Sequence, residues 1–161
     1  MSRQTPVMKV SHGEQTYELL PYIETFSSAM FDDARQDYEE ACAEAIVRAE
    51  KGLHEHGGHI NAMRTISQGS PDPDKNHFLV DQVTQQRVVA WVNFQLPEHK
   101  EYWQLHILYV RKAERRCGLG YAVATQMVRH WQSHGYPRVK FSARTEGMRR
   151  IREKLKDEFG W

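Results

Sequence analysis

The chain has 161 residues, of which 40% are hydrophobic and 27% charged, and its formal net charge at neutral pH is +1. This is ordinary make-up for one globular domain, taken as residues 1–161, and the length suffices to bury a real core. The near-zero charge gives no global attraction to nucleic acid or to an anionic membrane surface, and no apolar run approaches membrane-spanning length.

The N-terminal residues Met1-Ser2-Arg3-Gln4-Thr5-Pro6 are polar and lack an apolar signal core. The two cysteines, Cys42 and Cys117, lie far apart and read as free thiols of a reducing compartment. The expectation is therefore a cytoplasmic protein. Residues 7–10 form a short strand that breaks at Ser11-His12-Gly13. Leu19-Leu20-Pro21-Tyr22-Ile23 follow, ahead of a helical region over 32–51. There Tyr38, Ala41, Ala45, Ile46, Ala49 and Leu53 recur at helical spacing. Asp32, Asp33 and Asp37 suit its positive end, and Gly52 and Gly57-Gly58 terminate it.

His54-Glu55-His56-Gly57-Gly58-His59 is dense in zinc-type ligands. Its two glycines leave the backbone unorganised, and no cysteine or further acid follows at ligand spacing. A solvated loop without metal is the expectation. Residues 68–76 are a loop of turn formers. Strands are predicted over 77–81, 88–94 and 102–110, joined by short polar turns as an antiparallel meander.

Leu119, Val123, Met127 and Trp131 then recur every fourth residue and give one apolar helix face, which Gly135-Tyr136-Pro137 stops. Residues 139–143 alternate as a strand with one buried face. The resulting strand–helix–strand unit makes its two strands parallel, with a right-handed crossover. A last helix over 146–159 carries Met148, Ile151, Leu155 and Phe159 on one stripe. Arg144, Arg149, Arg150, Arg152 and Lys154 nearby lie among acids and read as a solvated face rather than a nucleic-acid site. The sum is an α+β fold with a mixed central sheet: an antiparallel meander, then a parallel β-α-β unit, flanked by helices.

The chain is organised around the junction before that third-quarter helix: Leu108-Tyr109-Val110, then Arg115-Arg116-Cys117-Gly118-Leu119-Gly120. A strand followed by a basic, glycine-containing turn and a helix start makes an anion site. The first helical N–H groups lack partners within the helix, and the dipole there is positive. Gly118 and Gly120 would let a diphosphate approach the backbone, and Arg115 and Arg116 add charge-assisted donors. No Gly-Lys-Ser/Thr follows, so this is not the classical P-loop. Val123 stands where a dinucleotide fingerprint has its third glycine.

Arg115-x-x-Gly118-x-Gly120, preceded by Leu108-Tyr109-Val110, resembles the acyl-CoA-binding motif of the GNAT superfamily of N-acetyltransferases. That motif reads Arg/Gln-x-x-Gly-x-Gly/Ala and lies between the fourth strand and third helix of the family fold. The resemblance is specific over residues 104–135 and looser from 77 to the C-terminus; before that only the order of elements matches. It implies that acetyl-CoA is the cosubstrate and that an amine attacks its thioester directly. It further implies that the strand bearing Leu108, Tyr109 and Val110 parts from the next parallel strand. The main chain of Leu108 and Val110 would then contact pantetheine, while Tyr109 packs. Arg115, Arg116, Cys117, Gly118, Leu119, Gly120 and Tyr121 would hold the diphosphate.

Relatives often use a tyrosine near the end of the last helix as acid toward the leaving thiolate; matching Gly160-Trp161 to their closing Gly-Phe puts Lys156 there. They also often carry a base on the motif strand. His106, two residues before Leu108, is expected on the same face and is the candidate base; the alternative is a half-exposed strand histidine with no chemical role. The acceptor is a small-molecule or protein amine, and Asp32, Asp33 and Asp37 either attract it or merely start a helix. The alternative to an enzyme is a non-catalytic relative that binds acyl-CoA or a protein partner. Family members commonly add two strands after the last helix. On that pattern residues 139–143 form an open edge, and a homodimer through that edge or through residues 159–161 is expected.

Overall fold

The computed structural model describes residues 5–21, 36, 43, 76–85, 87–95, 102–114, 117–136, 138–141 and 146–160, without side-chain detail at His106, Ile107, Lys112 and Glu146. A six-stranded sheet runs in chain order: β1 (Met8–His12), β2 (Gln15–Pro21), β3 (Asn76–Asp81), β4 (Val88–Gln95), β5 (Tyr102–Val110) and β6 (Arg138–Phe141). The first five strands are antiparallel, and β6 is parallel to β5. Helix α1 (Leu119–Ser133) crosses from β5 to β6, and α2 (Glu146–Phe159) follows. The meander and the parallel unit agree with the sequence reading, and the architecture is α+β.

The first strand region differs from expectation. Ser11 and His12 do not break β1; they pair with Thr16 and Gln15 of a second strand. The turn between them is Gly13-Glu14, with Gly13 at φ 60°. A glycine at positive φ in a two-residue connection is the ordinary hairpin solution, and the polar Ser-His pair is simply the solvent-side end of an edge strand. Other expectations fall outside the described residues: most of the helix over 32–51 with Asp32, Asp33 and Asp37, the histidine-rich 54–59, and the loop over 68–75. Gln36 and Ala43 are helical and exposed.

Helix α1 buries the predicted stripe. Leu119, Val123, Met127 and Trp131 are all 3% exposed or less and pack on Leu19, Leu79, Val92, Phe94, Leu105 and Leu108 of the sheet. Leu20, Phe78, Val80 and Trp91 lie outside that cluster and are fully buried too. The central strands therefore bury both faces, which explains their unbroken apolar runs. An aromatic group fixes the second half of α1: Trp103 stacks on Trp131 at 5.0 Å and Phe94 meets Trp131 edge-on at 5.2 Å. Such pairs add roughly 0.5–1.5 kcal/mol each beyond their buried area. From α2, Met148 and Leu155 are buried, with Ile151 and Phe159 packed beside the core.

Candidate active site

Three features meet at the C-terminal end of β5. The first is a bulge. Asn93 pairs with Ile107 and Phe94 with Leu105, so His106 is the additional residue on β5. A bulge re-aims the backbone and breaks side-chain alternation. The consequence is visible in the core: Leu105 and Leu108 both join the cluster under α1, with Trp103 packed against it. Gln104 and Leu108 therefore do not share one face as regular alternation predicts. His106 sits at the irregular position itself.

The second feature is the parallel ladder. β5 and β6 pair from Tyr102↔Arg138 to Leu105↔Phe141, and β5 continues to Val110. The described pairing reaches the step where the bulge begins; residues 142–145 lie outside the described residues.

The third feature is the turn into α1. Arg111 donates its N–H to Val89 O (3.0 Å) and its guanidinium to Val88 O (3.2 Å), tying the turn to β4. A short 3-10 segment, Lys112–Glu114, follows, and Glu114 pairs with Arg87 at 2.5 Å. Cys117 is exposed, and its thiol donates to Glu114 O at 3.1 Å. Gly118 is the N-cap, at φ 79° and ψ 12°, the left-handed region that side chains other than glycine resist. The first regular helical bond is Ala122 N–H to Gly118 O, 3.0 Å. Among the described residues no side chain caps the helix, and its first turn contains no acid. The N–H groups of a helix's first turn lack partners within the helix, so this end is positive and suits an anionic group.

The two glycines serve different ends. Among the described residues a Cβ on Gly118 would meet only His12 Cε1, at 3.7 Å. A Cβ on Gly120 would meet Ile151 Cδ1 at 3.4 Å and Val110 Cγ2 at 3.7 Å. A Cβ on Gly120 would thus face α2 and β5 in ordinary contact with both, whereas the sequence reading assigns that space to diphosphate. Leu108 and Tyr109 are buried, Val110 is half-buried, and the Leu119 side chain is 2% exposed, so Leu119 offers the site only its main chain. Arg115 and Arg116 lie outside the described residues.

Tyr121 faces a groove of about 580 Å³ lined with Ser11, His12, Gly118, Gln126, Arg129 and Glu158 among others. Its hydroxyl donates to Glu158, which also pairs with Arg129 at 2.6 Å. The bond to Glu158, then desolvation, holds the Tyr121 phenol above its usual range. Among the described residues no group of three or more histidine, cysteine, aspartate or glutamate side chains could hold a metal ion. No described helix is long and apolar enough to cross a membrane.

Two residues of this region carried no signal in the sequence. His12 Nε2 lies 2.5 Å from Cys117 O, and Gln126 brackets the main chain of Ser11, accepting from its N–H at 2.9 Å and donating to its C=O at 2.7 Å. Both contacts span more than a hundred residues of chain. The glutamine amide acts as a one-residue neighbouring strand for the edge of β1.

Residues 21–152 match the sequence model of the Acetyltransferase (GNAT) family. The chain belongs to that family. Its fold is shared with a GNAT acetyltransferase from Bacillus anthracis (TM-score 0.56, 9% identity, 92% of this chain and 82% of that one). A GNAT acetyltransferase from Listeria monocytogenes 4b F2365 is similar over 95% of this chain and 90% of its own, with TM-score 0.55 and 9% identity. The ribosomal-protein-alanine N-acetyltransferase of Brucella melitensis biovar Abortus 2308 gives TM-score 0.51 and 16% identity over 86% of this chain and 89% of its own. These likenesses establish the common fold. No curated protein sequence is significantly similar to the chain.

The site residues fit the acyl-CoA that GNAT acetyltransferases use. The helix start is free of acids, and Gly118 removes the side chain where the turn reverses.

Proposed function

We propose that this GNAT protein transfers an acetyl group from acetyl-CoA to the primary amine of a small molecule or protein, in the cytoplasm. The observation that carries the reading is the succession on one stretch of chain: β5 paired in parallel with β6, a bulge at His106, left-handed Gly118, and an acid-free helix start. Acetyl-CoA supplies the acetyl group as a thioester. The main chain of Leu108 and Val110 binds the pantetheine arm, with Tyr109 packed between them. The N–H groups at Gly118, Leu119, Gly120 and Tyr121, with Arg115, Arg116 and Cys117 on the turn, take the diphosphate. Such holding converts a bimolecular encounter into an oriented one, the larger share of catalysis where no covalent enzyme intermediate is needed. His106, at the bulge, is the base that removes the proton of the attacking amine. The exposed free thiol of Cys117 suits a reducing compartment.

A second reading, a non-catalytic relative that binds acyl-CoA or a protein partner, draws support from Lys156. It is exposed on the last turn of α2, 3.6 Å from Glu153, where relatives often have a tyrosine acid. The test has two arms. Acetyl-CoA should raise the melting temperature, because it binds the native state, and free thiol should be released with some member of a panel of amines. Stabilisation without thiol release selects the second reading; no stabilisation removes both cofactor-based ones.

A further inference from the structure

We infer that His12 is a positioning residue for the diphosphate turn, and that the β1–β2 hairpin tip is a built part of the CoA site. This rests on the acyl-CoA reading above. The contact is His12 Nε2 to Cys117 O, 2.5 Å. A carbonyl only accepts, so Nε2 carries the proton and the ring donates. The peptide between Cys117 and Gly118 is trans and planar. In a trans peptide the C=O and N–H point in opposite directions. Drawing the Cys117 carbonyl toward the hairpin therefore turns the Gly118 N–H the other way, out of the turn. The imidazole also lies over Gly118, its Cε1 3.7 Å from where a Cβ would stand.

The clamp is only as firm as what holds His12, and that is firm. His12 closes the hairpin register against Gln15. The residue before it, Ser11, is bound on both main-chain groups by Gln126 of α1. The turn is thus fixed to the helix that it starts by a closed circuit: Cys117 to His12, Ser11 to Gln126, and back along α1. A turn held before the ligand arrives loses less freedom on binding, and that saving appears as affinity.

The experiment titrates wild type, His12→Gln, His12→Asn and His12→Phe with coenzyme A by calorimetry. Pantetheine, which lacks the diphosphate, is followed by NMR shift titration. Glutamine reaches about as far as the imidazole and keeps a donor; asparagine keeps the donor but falls short; phenylalanine keeps the ring without one. The expected result is CoA affinity lowered about ten-fold in the asparagine and phenylalanine variants and within about three-fold of wild type in the glutamine variant. Pantetheine affinity should stay within about two-fold throughout. CoA binding unchanged in the asparagine variant, or equal losses for CoA and pantetheine, would overturn the inference. Wild type that ignores CoA altogether would instead remove the acyl-CoA reading on which it stands.

Discussion

The two motif glycines should respond to alanine with opposite signs. Gly118 sits at φ 79° with nothing among the described residues closer than 3.7 Å to a new Cβ, so the cost of Gly118→Ala is conformational. Holding an alanine in the left-handed region costs roughly 1–2 kcal/mol, and the lower entropy of the unfolded chain returns about 0.4–1 kcal/mol of that. The net is a loss of about 1 kcal/mol, or about 2–4 °C in melting temperature for a chain of this size. Gly120 has ordinary helical φ, and its new Cβ would touch the flexible end of Ile151 at 3.4 Å and Val110 at 3.7 Å. Alanine fits there and recovers about 0.5 kcal/mol of helix preference, so Gly120→Ala should melt at or slightly above the parent. Calorimetric melts without ligand, at one protein concentration, read both. Gly118→Ala melting no lower than the parent, or below it by less than Gly120→Ala, would refute the reasoning. Gly120→Leu extends the test, because it overfills the contact with Ile151 and Val110 and should cost about 1–3 kcal/mol.

Further outcomes follow from the same structure. His106→Ala should lower turnover about ten-fold or more with CoA affinity nearly unchanged; turnover within about two-fold would return it to a strand residue with no chemical role. Gln126→Ala removes both bonds to Ser11 and should cost about 1–2 kcal/mol, with faster amide exchange at Ser11; unchanged exchange there would show that the edge strand needs no such neighbour. Burial, then the charge of His134, holds His130 below the usual histidine range. Around that range the unfolded chain binds more protons than the folded one, so this contribution is complete above about pH 6.5 and is lost as pH falls through the folded value. Ring-proton NMR should give His130 a midpoint below about 6.5 that rises in His134→Ala; a midpoint at or above that value contradicts the assignment. We also expect a homodimer. Among the described residues β6 is the last strand in the sheet order, with Val139 and Phe141 alternating against exposed Arg138 and Lys140, and an edge of that kind invites pairing. Sedimentation equilibrium at micromolar concentration decides it, and a clean monomer would mean that the edge is protected within the chain.

Much of the architecture was legible because it depends on local periodicity. The four-residue spacing from Leu119 to Trp131 predicted both the helix and its buried face, and all four residues are in the core. The meander over β3 to β5 followed from β-rich runs separated by turn formers. The misreading at Ser11-His12-Gly13 has a physical cause. A polar pair before a glycine looks the same whether a strand stops there or turns back as a hairpin. Only the partner strand, whose apolar half Leu19-Leu20 precedes Pro21, distinguishes the two.

The site divides along the same line, and the division says what kind of chemistry it is. On the proposed reading its cofactor half is carried by the main chain: a bulged strand, a left-handed glycine, a helix start. Main-chain devices need particular residue types at fixed short spacing, so they leave a signature such as Arg115-x-x-Gly118-x-Gly120. The parts that tune it are long-range. The bulge at His106 arises from register against Asn93 and Phe94, and nothing in Leu105-His106-Ile107 announces an additional residue. His12 reaches Cys117 across the whole sheet sequence. Substitutions in the signature should therefore change whether CoA binds at all. Substitutions at His12, Gln126 or opposite the bulge should change how well the same groups are held. Phe94 is the sharpest case of the second kind. It pairs with Leu105 at the bulge and also packs edge-on against Trp131 and Trp103. Phe94→Leu keeps most of the apolar volume but loses these two edge-on contacts, about 1–3 kcal/mol together, and the stack on the His77 ring at 4.0 Å. If the bulge is held by that packing, the amide shifts of residues 105–107 should move more than those of Gly118 and Leu119. If the shifts at the helix start move equally, strand and turn respond as one rigid unit, and the bulge is fixed by the ladder rather than by the aromatic group.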